Sequence, residues 1–276
     1  MRRRRAMCRG TLRGGSPLRS GGPEGCSTAA ARSRALRCRS TLRRRAGKAR
    51  PSAAACSGKA SAATAPRAGQ AGSPSAADTG PGPRRMSTEA RRRALAEVAF
   101  CEEILAKGGL NILSETFHDS GDDITVWEHY PQGDVFDPAS GAQWFYHCHP
   151  ATEGSEHGHF HCFLRPDGRE GPIHHLVAIG VDAYGRLLRL FTVNQWVVGD
   201  DWLDAEGTVA LLPRFDMQMP RPSYLVNRWL TGILAAYEDE IAALVRERDA
   251  VLATHDAGGA NPRDDRALEV TSELKF

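Results

Sequence analysis

Two short segments, residues 143–149 and 157–164, lie either side of a loop spanning only residues 150–156, and each changes character at every second position. Successive side chains of a strand point to opposite faces, so parity sorts each segment into two sets. In the first, Trp144, Tyr146 and Cys148 share one face and Phe145, His147 and His149 the other. In the second, Gly158, Phe160, Cys162 and Leu164 are set against His157, His159, His161 and Phe163. The short loop implies a direct hairpin, and burying both apolar sets together requires odd residues to oppose odd residues. The predicted register places His149 opposite His157, His147 opposite His159 and Phe145 opposite His161. Five histidines then share one face. Directly opposed Cβ atoms are about 5 Å apart, so imidazoles from both strands can converge on a point.

The rest of the pattern supplies the layers around this hairpin. Residues 124–130, 174–181 and 187–194 are further short runs rich in β-branched or aromatic residues, with a tight turn at Asp182-Ala183-Tyr184-Gly185. Leu95, Val98, Cys101 and Leu105 recur at helical spacing over 87–107, with Glu89 in the first turn and Gly108-Gly109 after the last. A short helix is expected over 205–215 behind an Asp204 cap, and a long amphipathic one from Ser223 to about Thr254. The fold class predicted is α+β: an antiparallel sheet of about five strands, packed by the N-terminal helix and the long C-terminal helix. Residues 256–276 are polar and aperiodic, and are expected to be a flexible tail.

Three histidines spaced two apart on one strand span about 13 Å and cannot all reach one ion. A pair from one strand with one or two from the other can. The candidate metal ligands are therefore His147, His149, His157, His159 and His161, with Glu153 or Glu156 to complete the shell. Imidazole suits a divalent transition metal, Zn, Fe, Mn, Ni or Cu, and such a set can leave a position open for substrate, water or dioxygen. Two blander readings stand beside it: a metal-free histidine groove holding a small ligand without catalysis, and histidines hydrogen-bonded only among themselves and to water. His129, His174, His175, Asn194, Trp196 and Trp202 are weaker candidates, with core or edge roles favoured for each. Asp134 and Asp137 are expected to sit in a solvated loop.

Charge divides the chain at Met86. Residues 1–85 carry 20 basic side chains against Glu24 and Asp78, a balance of +18, while the remaining 16 basic and 31 acidic side chains give −15. The first part is Arg, Ala, Gly, Ser and Pro, too poor in apolar side chains to offset the entropy of ordering, so disorder is expected there. It has no uninterrupted apolar stretch of the secretory kind. Three readings of it compete: a transit peptide, a basic arm, and an over-extended gene start whose true initiation is Met86. The acidic balance of the folded part, 86–255, argues against nucleic acid as its partner. Nothing resembles a membrane span. Cys101, Cys148 and Cys162 form no disulfide framework and lack metal-type spacing, so a reducing, cytoplasmic setting is expected.

Three resemblances follow from these residues. Gly141-x5-His147-x-His149-x3-Glu153 resembles the first metal motif of the cupins, which implies divalent-metal binding by the two histidines and the glutamate. Here Phe160 stands where that motif closes on glycine, and no second motif supplies a third histidine. The run from His157 through Leu164 resembles the histidine-triad signature of nucleotide hydrolases and transferases, which implies His159 as nucleophile, although Gly158 replaces an apolar residue. Over about residues 87–253 the chain resembles an uncharacterised bacterial family known only as a domain of unknown function. That likeness rests on Trp127-Glu128-His129-Tyr130-Pro131, Tyr146-His147-x-His149, Glu156-His157-Gly158-His159-Phe160-His161 and Val226-Asn227-Arg228-Trp229. It implies one folded domain and no particular activity.

Overall fold

The computed structural model describes residues 87–121, 124–150 and 156–276. Among these, six strands make one antiparallel sheet in which each strand pairs with the next in sequence: β1 (Tyr130–Phe136), β2 (Ala142–Cys148), β3 (Gly158–Leu164), β4 (His174–Val181), β5 (Leu187–Val193) and β6 (Val270–Lys275). The helices are α1 (Thr88–Lys107), α2 (Ile112–Thr116), α3 (Gln195–Val198), α4 (Ala205–Leu211), α5 (Tyr224–Ala236) and α6 (Glu238–Thr254). The α+β class is as the sequence implies. The expected disorder of residues 1–85 and the start at Met86 fall outside the described residues.

Helix α1 begins where its capping residue dictates: the Ser87 hydroxyl accepts from the Ala90 N–H at 3.1 Å. It buries Val98, Cys101 and Leu105 as the sequence periodicity announces, but Ala94 completes the stripe and Leu95, expected on it, is exposed. Helices α1, α5 and α6 share one apolar core with the even-numbered side chains of the hairpin, Trp144, Tyr146, Phe160, Cys162 and Leu164, each of them fully buried. Two indoles enter this core only because their N–H groups find acceptors. Trp144 Nε1 donates to Asn227 Oδ1 at 2.8 Å, and Trp229 Nε1 to Glu102 Oε1 at 2.8 Å.

Three elements depart from the sequence expectation. The first strand starts at Tyr130 rather than at residue 124, because Trp127 turns the backbone to a φ of 67° and breaks the extended run before it. The long C-terminal helix is two helices, interrupted at Tyr237, whose φ of −115° and ψ of 24° leave the α-helical basin. Residues 256–276 are not a loose tail. They carry β6, which pairs with β5 from Val193↔Val270 to Arg189↔Lys275. Its buried groups are hydroxyls rather than hydrocarbon: Thr192 Oγ1 lies 2.7 Å from Thr271 Oγ1 and 2.6 Å from Ser272 Oγ. A strand buried through paired hydroxyls has no apolar alternation to detect. No described helix is long and apolar enough to cross a membrane.

Candidate metal centre

The hairpin register is the one that parity requires. Phe145 pairs with His161, His147 with His159, and Cys148 with Gly158. With the even residues committed to the helical core, the odd ones face the other side of the sheet, beside a small apolar cluster of Ala178, Phe191 and Val193. There the imidazoles form a continuous row. The Nε2 atoms of His149 and His147 are 3.2 Å apart, those of His147 and His159 are 2.8 Å apart, and those of His159 and His161 are 3.0 Å apart. His161 Nδ1 then meets His175 Nε2 at 3.1 Å. Within this row His147, His149 and His159 each present one nitrogen, all within 4.8 Å of one another.

These contacts exceed what the imidazoles can satisfy between themselves. Each ring nitrogen offers one in-plane lone pair or one N–H, not both. His159 Nδ1 sits 3.2 Å from Glu156 Oε1. Burial pushes the Glu156 carboxyl up, but hydrogen bonds from His159 and Arg189 outweigh it and hold the group at about 2, so it is an acceptor. The proton of His159 therefore belongs on Nδ1, leaving a single lone pair on Nε2. Both His147 Nε2 and His161 Nε2 approach that lone pair. Three contacts along four nitrogens can supply at most two hydrogen bonds, whereas a cation among the lone pairs of His149, His147 and His159 would use all three of those. Two nitrogens each about 2.0–2.1 Å from one zinc-sized ion stand about 3–3.4 Å apart, close to the spacings seen here.

Electrostatics keeps the set in its ligand form. Burial, reinforced by His159, His149 and His129, lowers His147 to about 2, and burial lowers His159 to about 4 against the pull of Glu156. His161 is driven well below its ordinary value by burial and by His159 and His175, and His175 falls to about 3 through burial and the Arg248 charge. Burial also lowers His149. Neutral imidazole is the form that binds metal, so no proton has to be expelled near neutrality.

The candidate residues do not all join the row. His157 lies just before β3 and turns to the helical side, where Nδ1 is 2.7 Å from the Tyr146 hydroxyl and the ring packs 6.3 Å from Phe117. Strand parity fails for it because it is not yet in the strand. Gly158 makes the diversion feasible, since a Cβ there would stand 2.5 Å from Tyr146 Oη and collide with the His147 carbonyl. Glu156 meets the back of the row, at His159 Nδ1. Its two oxygens are taken by His159 and by Arg189, whose Nε donates at 2.6 Å and Nη2 at 3.2 Å, and Arg189 is held in turn by Glu273. A carboxylate on the far nitrogen of a ligating histidine fixes its tautomer and ring plane. Glu153 lies outside the described residues.

His175 is the member that parity misses. Cys162 pairs with Val177 but Phe163 pairs with His175, so Leu176 is an extra residue bulged out of the ladder. The bulge carries His175 onto the histidine side. A run such as His174-His175-Leu176-Val177-Ala178 contains no signal for it. Among the weaker candidates, His129 stacks on Phe145 with centroids 3.6 Å apart, and its Nδ1 lies 3.1 Å from Asp134 Oδ1. Asp137 is buried rather than solvated, accepting from the N–H groups of Ala139 and Gln218.

Over the row opens a cavity of about 340 Å³, closed by Trp127, His129, Phe145, Glu269 and the short α3 residues Trp196, Val197 and Val198. Trp127 is 58 % exposed, yet its ring lies 4.5 Å from that of His149 at an interplanar angle of 30°. It does so from a φ of 67°, a region that bulky residues avoid and that persists only where surroundings over-determine it. Placing an indole against His149 is what that backbone accomplishes.

No curated protein and no solved structure matches this chain. A family model does, over residues 92–276, a span that takes in the hairpin, the row of imidazoles and β6. The chain belongs to the family described as Domain of unknown function (DUF6969).

Proposed function

We propose that this domain binds a divalent transition metal, Zn, Fe, Mn or Ni, through Nε2 of His147, His149 and His159. The observation that carries the reading is that the His149 and His159 contacts compete for the one site on His147 Nε2, so hydrogen bonds can satisfy only one of them, whereas a cation would use all three lone pairs. Two further features support it: the neutral state of the imidazoles, and the Glu156 carboxylate behind His159, itself pinned by Arg189. Three protein ligands leave a coordination position facing the cavity. That is the arrangement in which a bound ion acts as a Lewis acid or activates water, and it would serve equally for non-catalytic capture of a ligand.

The cavity favours a second reading, a metal-free groove for a small molecule. Metal content separates the two. The full chain, purified without a His tag under metal-replete conditions, should hold a stoichiometric transition metal by elemental analysis, and the His147→Ala/His149→Ala variant should hold none while retaining its circular dichroism. Absence of stoichiometric metal from the parent chain leaves the groove reading. Metal retained by the folded double variant moves the site elsewhere.

A further inference from the structure

The cavity over the imidazole row has a lining that selects by chemistry. No Lys or Arg is among its described lining residues, and Glu269 is the one carboxylate there. The guanidinium below the row, Arg189, is not available to a ligand, because Glu156 and Glu273 hold its nitrogens and its face lies 4.0 Å over the Phe191 ring. Arg266 is spent on the Trp196 ring at 4.7 Å. The walls are instead indole, phenyl and isopropyl: Trp127, Trp196, Phe145, Val197 and Val198. At about 340 Å³ the space sits near the small end of the range for small-molecule pockets, about 300–1,000 Å³. A phosphate ester needs clustered guanidinium or ammonium groups or a helix N-terminus to replace its water. An aromatic ring needs only apolar walls and a donor atom that can reach the ion.

We infer that the metal's open position takes a small, uncharged, aromatic molecule with one donor atom, and that phosphate-bearing ligands are excluded. This rests on the metal reading and adds the class of ligand to it. It also weighs against the chemistry implied by the histidine-triad likeness: His159, which would be the nucleophile, is buried with Nε2 between two other imidazoles, and no Lys or Arg is among the described lining residues to hold a nucleotide.

The test uses the full chain loaded with Co(II), whose visible bands report both metal uptake and any change at the open position. Imidazole and 4-phenylimidazole carry the same neutral donor and differ only in the ring that would enter the cavity. We expect 4-phenylimidazole to bind at least about tenfold tighter, with inorganic pyrophosphate failing to perturb the bands at millimolar concentration. Trp196→Ala and, as a milder change of the same wall, Val198→Ala should each lower the affinity for 4-phenylimidazole toward that for imidazole. Equal affinities in the parent chain, or a pyrophosphate complex tighter than either, overturn the inference while leaving the metal site intact. Failure to take up Co(II) at all overturns the metal reading and this inference with it.

Discussion

The two faces of the hairpin are built from the same fourteen residues of β2 and β3, yet they obey different rules. On the helical face, Trp144, Tyr146, Phe160 and Leu164 are fully buried and packed against α1, α5 and α6, and the polar atoms there, such as Trp144 Nε1, have a single well-placed partner. On the opposite face His159 and His161 are nearly or fully withdrawn from water and His147 is half-buried, but their nitrogens compete for the same lone pairs. One face is optimised for stability. The other carries competing polar contacts that a core would not keep, and it is the face to which we assign the proposed metal site.

That contrast can be broken at several points. The largest effect should come from the helical face. Trp144→Ala removes a buried indole and orphans Asn227 Oδ1, and should cost about 3–5 kcal/mol in denaturant unfolding. A loss under about 1 kcal/mol would mean that this face is not the main stabilising core.

The next effect is in acid. His147, His159, His161 and His175 all have folded values below the ordinary 6.5, so between that value and about 4 the unfolded chain binds protons that the folded chain refuses. The metal-free protein should therefore be stable above pH 6.5 and lose stability as pH falls, at no less than about 1.4 kcal/mol per pH unit if one net proton is involved. A flat stability profile from pH 7 to 4.5 in urea titrations would contradict the buried, neutral cluster.

Third, Glu156→Ala should weaken metal binding about 10–100-fold by freeing the His159 tautomer, while Glu156→Gln, which still offers an acceptor to Nδ1, should recover much of it. Equal losses in both variants would point to the charge of Glu156 rather than to its positioning of His159. A smaller effect of the same origin is expected at Gly180. A Cβ there would come within 2.7 Å of Glu156 Oε2 and 2.9 Å of Arg189 Cγ, so Gly180→Ala should reduce metal affinity by several-fold with little change in melting temperature. The least effect on stability should come from His161→Leu, which exchanges a contested polar contact for hydrocarbon and should shift stability by less than about 1 kcal/mol, against the penalty at Trp144. Together these outcomes would separate the face that holds the domain together from the face proposed to bind.

What the sequence determined by itself was local and periodic. Alternation over 143–149 and 157–164 was enough to assign the hairpin, its register and the sharing of one face by His147, His149, His159 and His161, because the two-residue repeat of a strand leaves no other way to bury Trp144 and Phe160 together. Helical spacing likewise made Val98, Cys101 and Leu105 of the α1 stripe legible, though Ala94 and not Leu95 completes it. Tertiary structure decided everything that depends on a break in periodicity or on a partner distant in sequence. A bulge at Leu176 brought His175 to the row, the strand edge sent His157 to Tyr146, and buried hydroxyl pairs made a strand of residues 270–275. Arg189, itself held by Glu273, engaged the carboxylate of Glu156 behind His159. Period fixes which side a residue faces, but only the packed chain fixes what it meets there.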